Sequence, residues 1–163
     1  MTGRRKPRTA RWPALVPTRL VSALKPAERT EAAAAALDGF RALRQGVATE
    51  VEWAFVVSAM NMADGFELRV RPSGARGHIQ AAQVALDAVV HRAMAAGTWC
   101  APTMYLQEID DVRVALEIYQ ARLRDCTYGE YRRVLDYART EVLSTGGVEL
   151  RVNQVQHELL EAA

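Results

Sequence analysis

Between Tyr105 and Leu123 six apolar residues, Tyr105, Ile109, Val112, Leu116, Tyr119 and Leu123, recur at alternating steps of four and three. A helix turns once per 3.6 residues, so this spacing gathers all six on one stripe, whereas a strand would scatter them over two faces. A stripe two and a half heptads long has to be covered by another apolar surface, which requires a helical bundle. The rest of the chain repeats the helical period. Leu37, Phe40 and Leu43 line one face of a segment over 27–45 that Gly46 is placed to stop; the alanines from Ala32 to Ala36 count there for helix propensity more than for packing.

The next helix opens on Thr49 and Glu52, the spacing of a reciprocal capping box. Trp53, Val56, Val57 and Met60 form one face, and Val51, Phe55, Ala59 and Met62 fill much of the other, so this helix is expected to be the most buried. Gly65 is expected to end it, with Phe66 to Ser73 a loop, although Phe66, Leu68 and Val70 alternate as in a strand. A helix over 76–96 faces Ile79, Ala82, Leu86, Val89, Val90 and Ala93 inward and ends at Gly97. In the short connection that follows, Trp99 is expected to plug the end of the bundle, and the Tyr105 stripe begins near Thr103. Thr127 and Glu130 repeat the capping box for a last helix that buries Tyr131, Val134, Leu135, Ala138 and Val142 and stops at Gly146-Gly147. The two helices on either side of Cys126 are expected to lie against each other. Asn61 and Asp64, polar on an apolar helix, read as a structural hydrogen-bonding residue and a helix-end residue.

The resulting expectation is an all-α bundle of about five helices over 27–147, preceded by an extended basic arm over 1–26 and followed by a tail over 148–163. Four prolines in the first 26 residues, Pro7, Pro13, Pro17 and Pro26, make a long helix there improbable. In the tail Val148, Leu150 and Val152 alternate, and Val155 and Leu159 suggest a turn or two of helix.

The formal charge of +2 conceals an asymmetry. The arm holds Arg4, Arg5, Lys6, Arg8, Arg11, Arg19 and Lys25 and no acid, a charge of +7; the other fourteen basic residues face all nineteen acidic ones, leaving the body at −5. Arginines on such an arm neutralise phosphates and release counterions, and an aromatic among them can stack on a base. Arg4, Arg5, Lys6, Arg8, Arg11 and Trp12 are therefore the candidate nucleic-acid-binding residues. The competing reading has the arm solvated or docked on its own acidic body. A helix-turn-helix with Asp125 and Cys126 as the turn and Arg132, Arg133 and Arg139 on the reading helix competes with simple surface ion pairing with Asp136, which explains the charges equally well.

Other chemistry finds little footing. His78, His91, His157, Cys100 and Cys126 show no metal-ligand spacing, and His91 reads as a partly buried packing residue. Glu108, Asp110 and Asp111 suit the start of a helix. Ser58 lacks a nucleophile-elbow context, and the loop from Pro72 to Gly77 lacks the ending of a phosphate-binding loop. No catalytic residue, cofactor, metal or small-molecule substrate is assigned, and the chain reads as not an enzyme. Two cysteines without C-x-x-C spacing read as reduced thiols, Pro13 and Pro17 interrupt the only apolar stretch of a would-be signal, and no run approaches a membrane span, so a cytoplasmic location is expected. Only Lys6 and Lys25 are lysines, a bias of GC-rich bacterial genomes.

The segment Gly46-Val47-Ala48-Thr49-Glu50-Val51-Glu52-Trp53, followed by Asn61-Met62-Ala63, resembles small helical proteins of proteobacterial genomes and mobile elements often named Fis-like transcriptional regulators. The resemblance covers roughly residues 40 to 145. It implies a regulatory or mobile-element role and carries over no functional residue; nothing after Cys126 matches the Fis signature, a C-terminal helix-turn-helix rich in Gly, Asn and basic residues. The expected function is a non-enzymatic accessory or regulatory protein that binds nucleic acid through its arm, with a protein partner or a homodimer compatible with this reading. The alternative is a protein-protein interaction or homo-oligomeric adaptor module.

Overall fold

The Thr49 hydroxyl accepts the Glu52 N–H at 3.3 Å and the Glu52 carboxylate accepts the Thr49 N–H at 2.7 Å, the reciprocal cap that the spacing of the two residues predicts. These contacts are seen in a computed structural model that describes residues 18–144. Six helices stand among the described residues: α1 (Thr18–Val21), α2 (Pro26–Gln45), α3 (Glu50–Arg69), α4 (Arg76–Ala93), α5 (Leu106–Asp125) and α6 (Tyr128–Ser144). The described residues are all-α apart from one isolated antiparallel bridge between Ala23 and Thr127. None of these helices is long and apolar enough to cross a membrane.

The helix α3 is the centre, packed against α2, α4, α5 and α6, with Val56, Met60, Ala63 and Phe66 sealed from solvent. Gly46 ends α2 in the left-handed conformation, φ +68°, where a side chain would be strained and its N–H can reach the Leu43 carbonyl at 3.1 Å. Along α5 the stripe is buried at Val112, Leu116, Tyr119 and Leu123, while Tyr105 stands largely exposed at its start, just before the first helical residue, Leu106. Trp99 donates its indole N–H to the Ala48 carbonyl at 2.8 Å and lies 6.2 Å from the Trp53 ring, so it closes that end of the bundle as expected.

Several expectations are corrected. Gly65 does not end α3, which continues to Arg69; its φ is an ordinary helical one and it is buried because α6 crosses there. A Cβ on Gly65 would sit 2.9 Å from Val134 Cγ1, so the missing side chain admits a neighbouring helix rather than a turn. Phe66 to Arg69 is consequently helix, not loop. The alanines of α2 are packing residues as well as helix formers, with Ala33 and Ala36 buried. The helix α4 is three residues shorter than expected, and a turn closed by the Gly97 N–H on the Met94 carbonyl at 2.9 Å follows it.

The helices on either side of Cys126 do not form a packed pair of their own: α6 lies on α3 and α1. Cys126 is extended, φ −85° and ψ 153°, and Ala23 bridges to Thr127, which turns the chain away from α5. The last part of the basic arm, 18–25, is thus built into the fold. Tyr128 donates its N–H to the Ser22 carbonyl at 2.8 Å, Leu24 is buried, and a Cβ on Gly129 would lie 2.6 Å from the Leu20 carbonyl oxygen. The expected extended character of the rest of the arm, the stop at Gly146-Gly147 and the pattern of the tail over 148–163 fall outside the described residues.

Candidate functional site

The helices α2 and α6 both lean on α3, yet neither packs closely on the other, and a groove of about 430 Å³ opens between them. Its floor is the α3 face of Phe55, Ser58, Ala59 and Met62. Alanines 32, 35 and 36 of α2 make one wall, and Tyr128, Tyr131 and Leu135 of α6 the other. The short alanine side chains are the reason space remains. Two hydroxyls inside are already engaged: Ser58 donates to the Ala54 carbonyl at 2.8 Å and Tyr119 to the Ala32 carbonyl at 3.2 Å, and burial pushes the Tyr119 phenol up. The charges on its rim are acidic, Glu28 and Glu31. The Lys25 N–H at 2.8 Å and the Arg19 guanidinium hold the Glu28 carboxyl below its usual range. Arg19 also stacks over the Tyr128 ring, 4.1 Å from its centre. Alanine, aromatic and leucine side chains make this slot suited to receiving an apolar segment.

On the other side of α2, between it and α5, a second and smaller groove of about 230 Å³ is flanked by Arg29 and Arg124, with Thr30, Leu37 and Gln120 between them. Among the described residues neither arginine meets a carboxylate, in contrast to Arg41, which binds Asp38 at 2.7 Å, and Arg113, which binds Asp110 at 2.9 Å. The Leu24 N–H donates to the Cys126 carbonyl at 3.4 Å, so the root of the arm lies beside Arg124.

Away from the two grooves, one buried and one partly buried ion pair tie helix ends together. Glu67, 4% exposed, accepts the Ser73 N–H at 2.9 Å, the Ser73 hydroxyl at 2.8 Å and the Arg122 guanidinium. Glu108 accepts two parallel bonds from Arg92, at 2.8 and 2.6 Å, and the Tyr105 N–H at 2.8 Å. Burial works against the charged form of each carboxyl. The Ser73 donors and Arg122 outweigh it for Glu67, and Arg92 with the Tyr105 N–H does so for Glu108, holding both below the usual glutamate range. A carboxyl depressed in the folded state binds fewer protons there than in the unfolded chain, so its stabilisation is present above its unfolded pKa and is lost as the pH falls through the folded value. Urea midpoints are therefore expected to hold constant from neutral pH down to about 4.5, the ordinary glutamate value, and to fall steeply below it. Midpoints that rise on acidification would show that neither pair favours the fold.

Of the residues singled out in the sequence, Arg4, Arg5, Lys6, Arg8, Arg11, Trp12 and His157 lie outside the described residues. Arg132 and Arg133 are exposed on α6, and Arg139 lies 4.0 Å from Asp136, the surface pairing that competed with a reading helix. His91 is exposed, not partly buried, because it points away from the Val89 and Ala93 face of α4. Cys100 is exposed and Cys126 buried, its thiol pushed up to about 11 chiefly by burial. Among the described residues no three His, Cys, Asp or Glu side chains gather as metal ligands. Glu108, Asp110 and Asp111 diverge to Arg92, Arg113 and Gln107. Asn61 accepts from Gln83 at 3.2 Å and Asp64 binds Arg76 at 2.9 Å, both tying α3 to α4. Sequence reasoning missed Glu67, Arg92 and Arg122, and missed the groove, whose only signal was the alanine run of α2. Comparison of the chain with protein-family models, with curated proteins and with solved structures finds no match.

Proposed function

We propose that this chain is a non-enzymatic accessory or regulatory protein that binds nucleic acid through its basic N-terminal arm. The observation that supports the reading most is the pairing of charges. Acidic residues of the body pair with many of its arginines, but half-buried Arg29 and exposed Arg124, beside the root of the arm, meet no carboxylate among the described residues. Arg4, Arg5, Lys6, Arg8 and Arg11 would extend that positive surface along a phosphate backbone, and Trp12 would stack on an exposed base.

The test is fluorescence anisotropy of labelled single- and double-stranded DNA and RNA across a salt series. Deleting residues 1–25 would remove the buried Leu24 and the Ala23 bridge, so the comparison uses full-length protein with alanine at Arg4, Arg5, Lys6 and Arg8. Four lost phosphate contacts should flatten the slope of log affinity against log salt on duplex DNA by about 3 to 4. A wild-type chain that binds none of these probes at low salt would overturn the reading. The alanine-lined groove between α2 and α6 favours a second reading, a protein-protein interaction or homo-oligomeric adaptor module, in which binding to the partner would depend little on salt.

A further inference from the structure

We infer that the groove between α2 and α6 receives the apolar part of the chain's own arm, Trp12 to Val16, in the free protein. The groove is open, lined by alanine and aromatic side chains, and uncovered among the described residues. The chain enters the described fold at its mouth. Arg19 binds Glu28 and stacks on Tyr128, and both of those residues line the groove. Trp12 is six residues before Thr18, a reach of roughly 20 Å when extended, and the α2 wall from Glu28 to Ala36 is only about 12 Å long. The segment Trp12-Pro13-Ala14-Leu15-Val16 can therefore run inward from the mouth, with Val16 held near Thr18 and Trp12 able to reach the length of the α2 wall.

Charge selects this segment over the other end of the chain. The rim of the groove carries Glu28 and Glu31, and the arm before Trp12 carries Arg4, Arg5, Lys6, Arg8 and Arg11 without an acid. The C-terminal stretch over 148–163 has an apolar pattern too, but it brings Glu149, Glu158 and Glu161 against Arg151. A buried indole is the largest apolar contribution the arm can make, and the alanine walls leave the width for one. Seating it brings Arg11 to the glutamate rim, so the groove and a polyanion compete for the same arm. The inference concerns the free protein and stands whether or not nucleic acid is the competitor.

The experiment is NMR on full-length protein without nucleic acid. Nuclear Overhauser contacts are expected from the Trp12 indole to the Ala35, Ala32 and Leu135 methyls. The full-length variant Trp12→Ala should shift those methyl resonances while leaving in place the indole signals of Trp53 and Trp99, which donate to the Leu86 and Ala48 carbonyls. Ala35→Phe, on the half-exposed wall rather than in the core, fills the slot and should move the Trp12 indole to its solvent-exposed shift. Should that variant fail to fold, the contacts and the Trp12→Ala shifts decide alone. A wild-type Trp12 without contacts to the groove overturns the inference. So do contacts seen only between labelled and unlabelled chains in a mixed sample, which would make the occupant a second copy. Loss of anisotropy binding with intact Trp12 contacts would sink the nucleic-acid reading and leave this one standing.

Discussion

Arg122→Ala is expected to lower the folding stability by about 3 to 5 kcal/mol, the usual cost of removing one partner from a buried ion pair. The carboxylate it deserts is 4% exposed, and the Arg122 side chain is itself only 16% exposed, so solvent cannot take over the lost contact. Ser73 alone would remain, with its N–H at 2.9 Å and its hydroxyl at 2.8 Å. Such a loss is a large share of the roughly 5 to 15 kcal/mol that holds a domain folded, and it should appear in urea unfolding as a lower midpoint at unchanged slope. The loss comes from a stranded charge and not from any large net attraction. Replacing both partners by apolar residues, Glu67→Leu with Arg122→Met, is therefore expected to recover most of it, although Ser73 then needs water. A single Arg122→Ala cost below about 1 kcal/mol would mean that the pair behaves as an exposed one.

That pair also marks where the sequence stops being readable. The caps at Thr49 and Thr127 and the stop at Gly46 are signals carried by residues within three or four places of each other, and all three are found in the structure. The stripe of α5 is equally local, since periodicity alone assigns its face. Glu67 draws on Ser73, six residues on, and Arg122, 55 residues on; Arg92 and Glu108 are 16 apart. No pattern along the chain distinguishes such a glutamate from the many that face water. Gly65 was misread for a related reason. A glycine near the end of a helical pattern looks the same whether it turns the chain or lets another helix approach, and only the position of Val134 decides.

The candidate site divides in the same way. The basic arm was legible as composition, because seven positive charges without an acid need no tertiary contact to be seen. The groove beside its root was not. An alanine run that supports helix formation is identical on paper to one that lines a slot. What separates them is the course of α6, and that depends on Ala23 bridging to Thr127 and on Gly129 admitting Leu20.

Gly39→Ala puts the contact between α2 and α3 to a test in which two known effects have opposite signs. Inside an exposed helix, alanine in place of glycine is worth about 1 kcal/mol in favour of the fold, since glycine has more backbone freedom to lose. Gly39 is buried in α2, and a Cβ there would stand 2.3 Å from the Glu52 backbone oxygen and 3.2 Å from Val56 Cγ2. The nearer obstacle is backbone in the first turn of α3, so no rotamer change relieves it and the two helices must separate. Overpacking of this kind costs about 1 to 3 kcal/mol when side chains can yield, and the rigid carbonyl places Gly39→Ala at or beyond the upper end. The clash therefore outweighs the helix preference, and a net loss of about 2 kcal/mol or more is expected in urea unfolding. Gly77→Ala is the matched control: it lies in α4 with no heavy atom within 4 Å of the added Cβ, and should gain up to about 1 kcal/mol. A stabilised Gly39→Ala would mean that α2 stands farther from α3 than described here. The wall of the apolar groove would then stand away from its floor, and the width that admits an indole would have to be reconsidered with it.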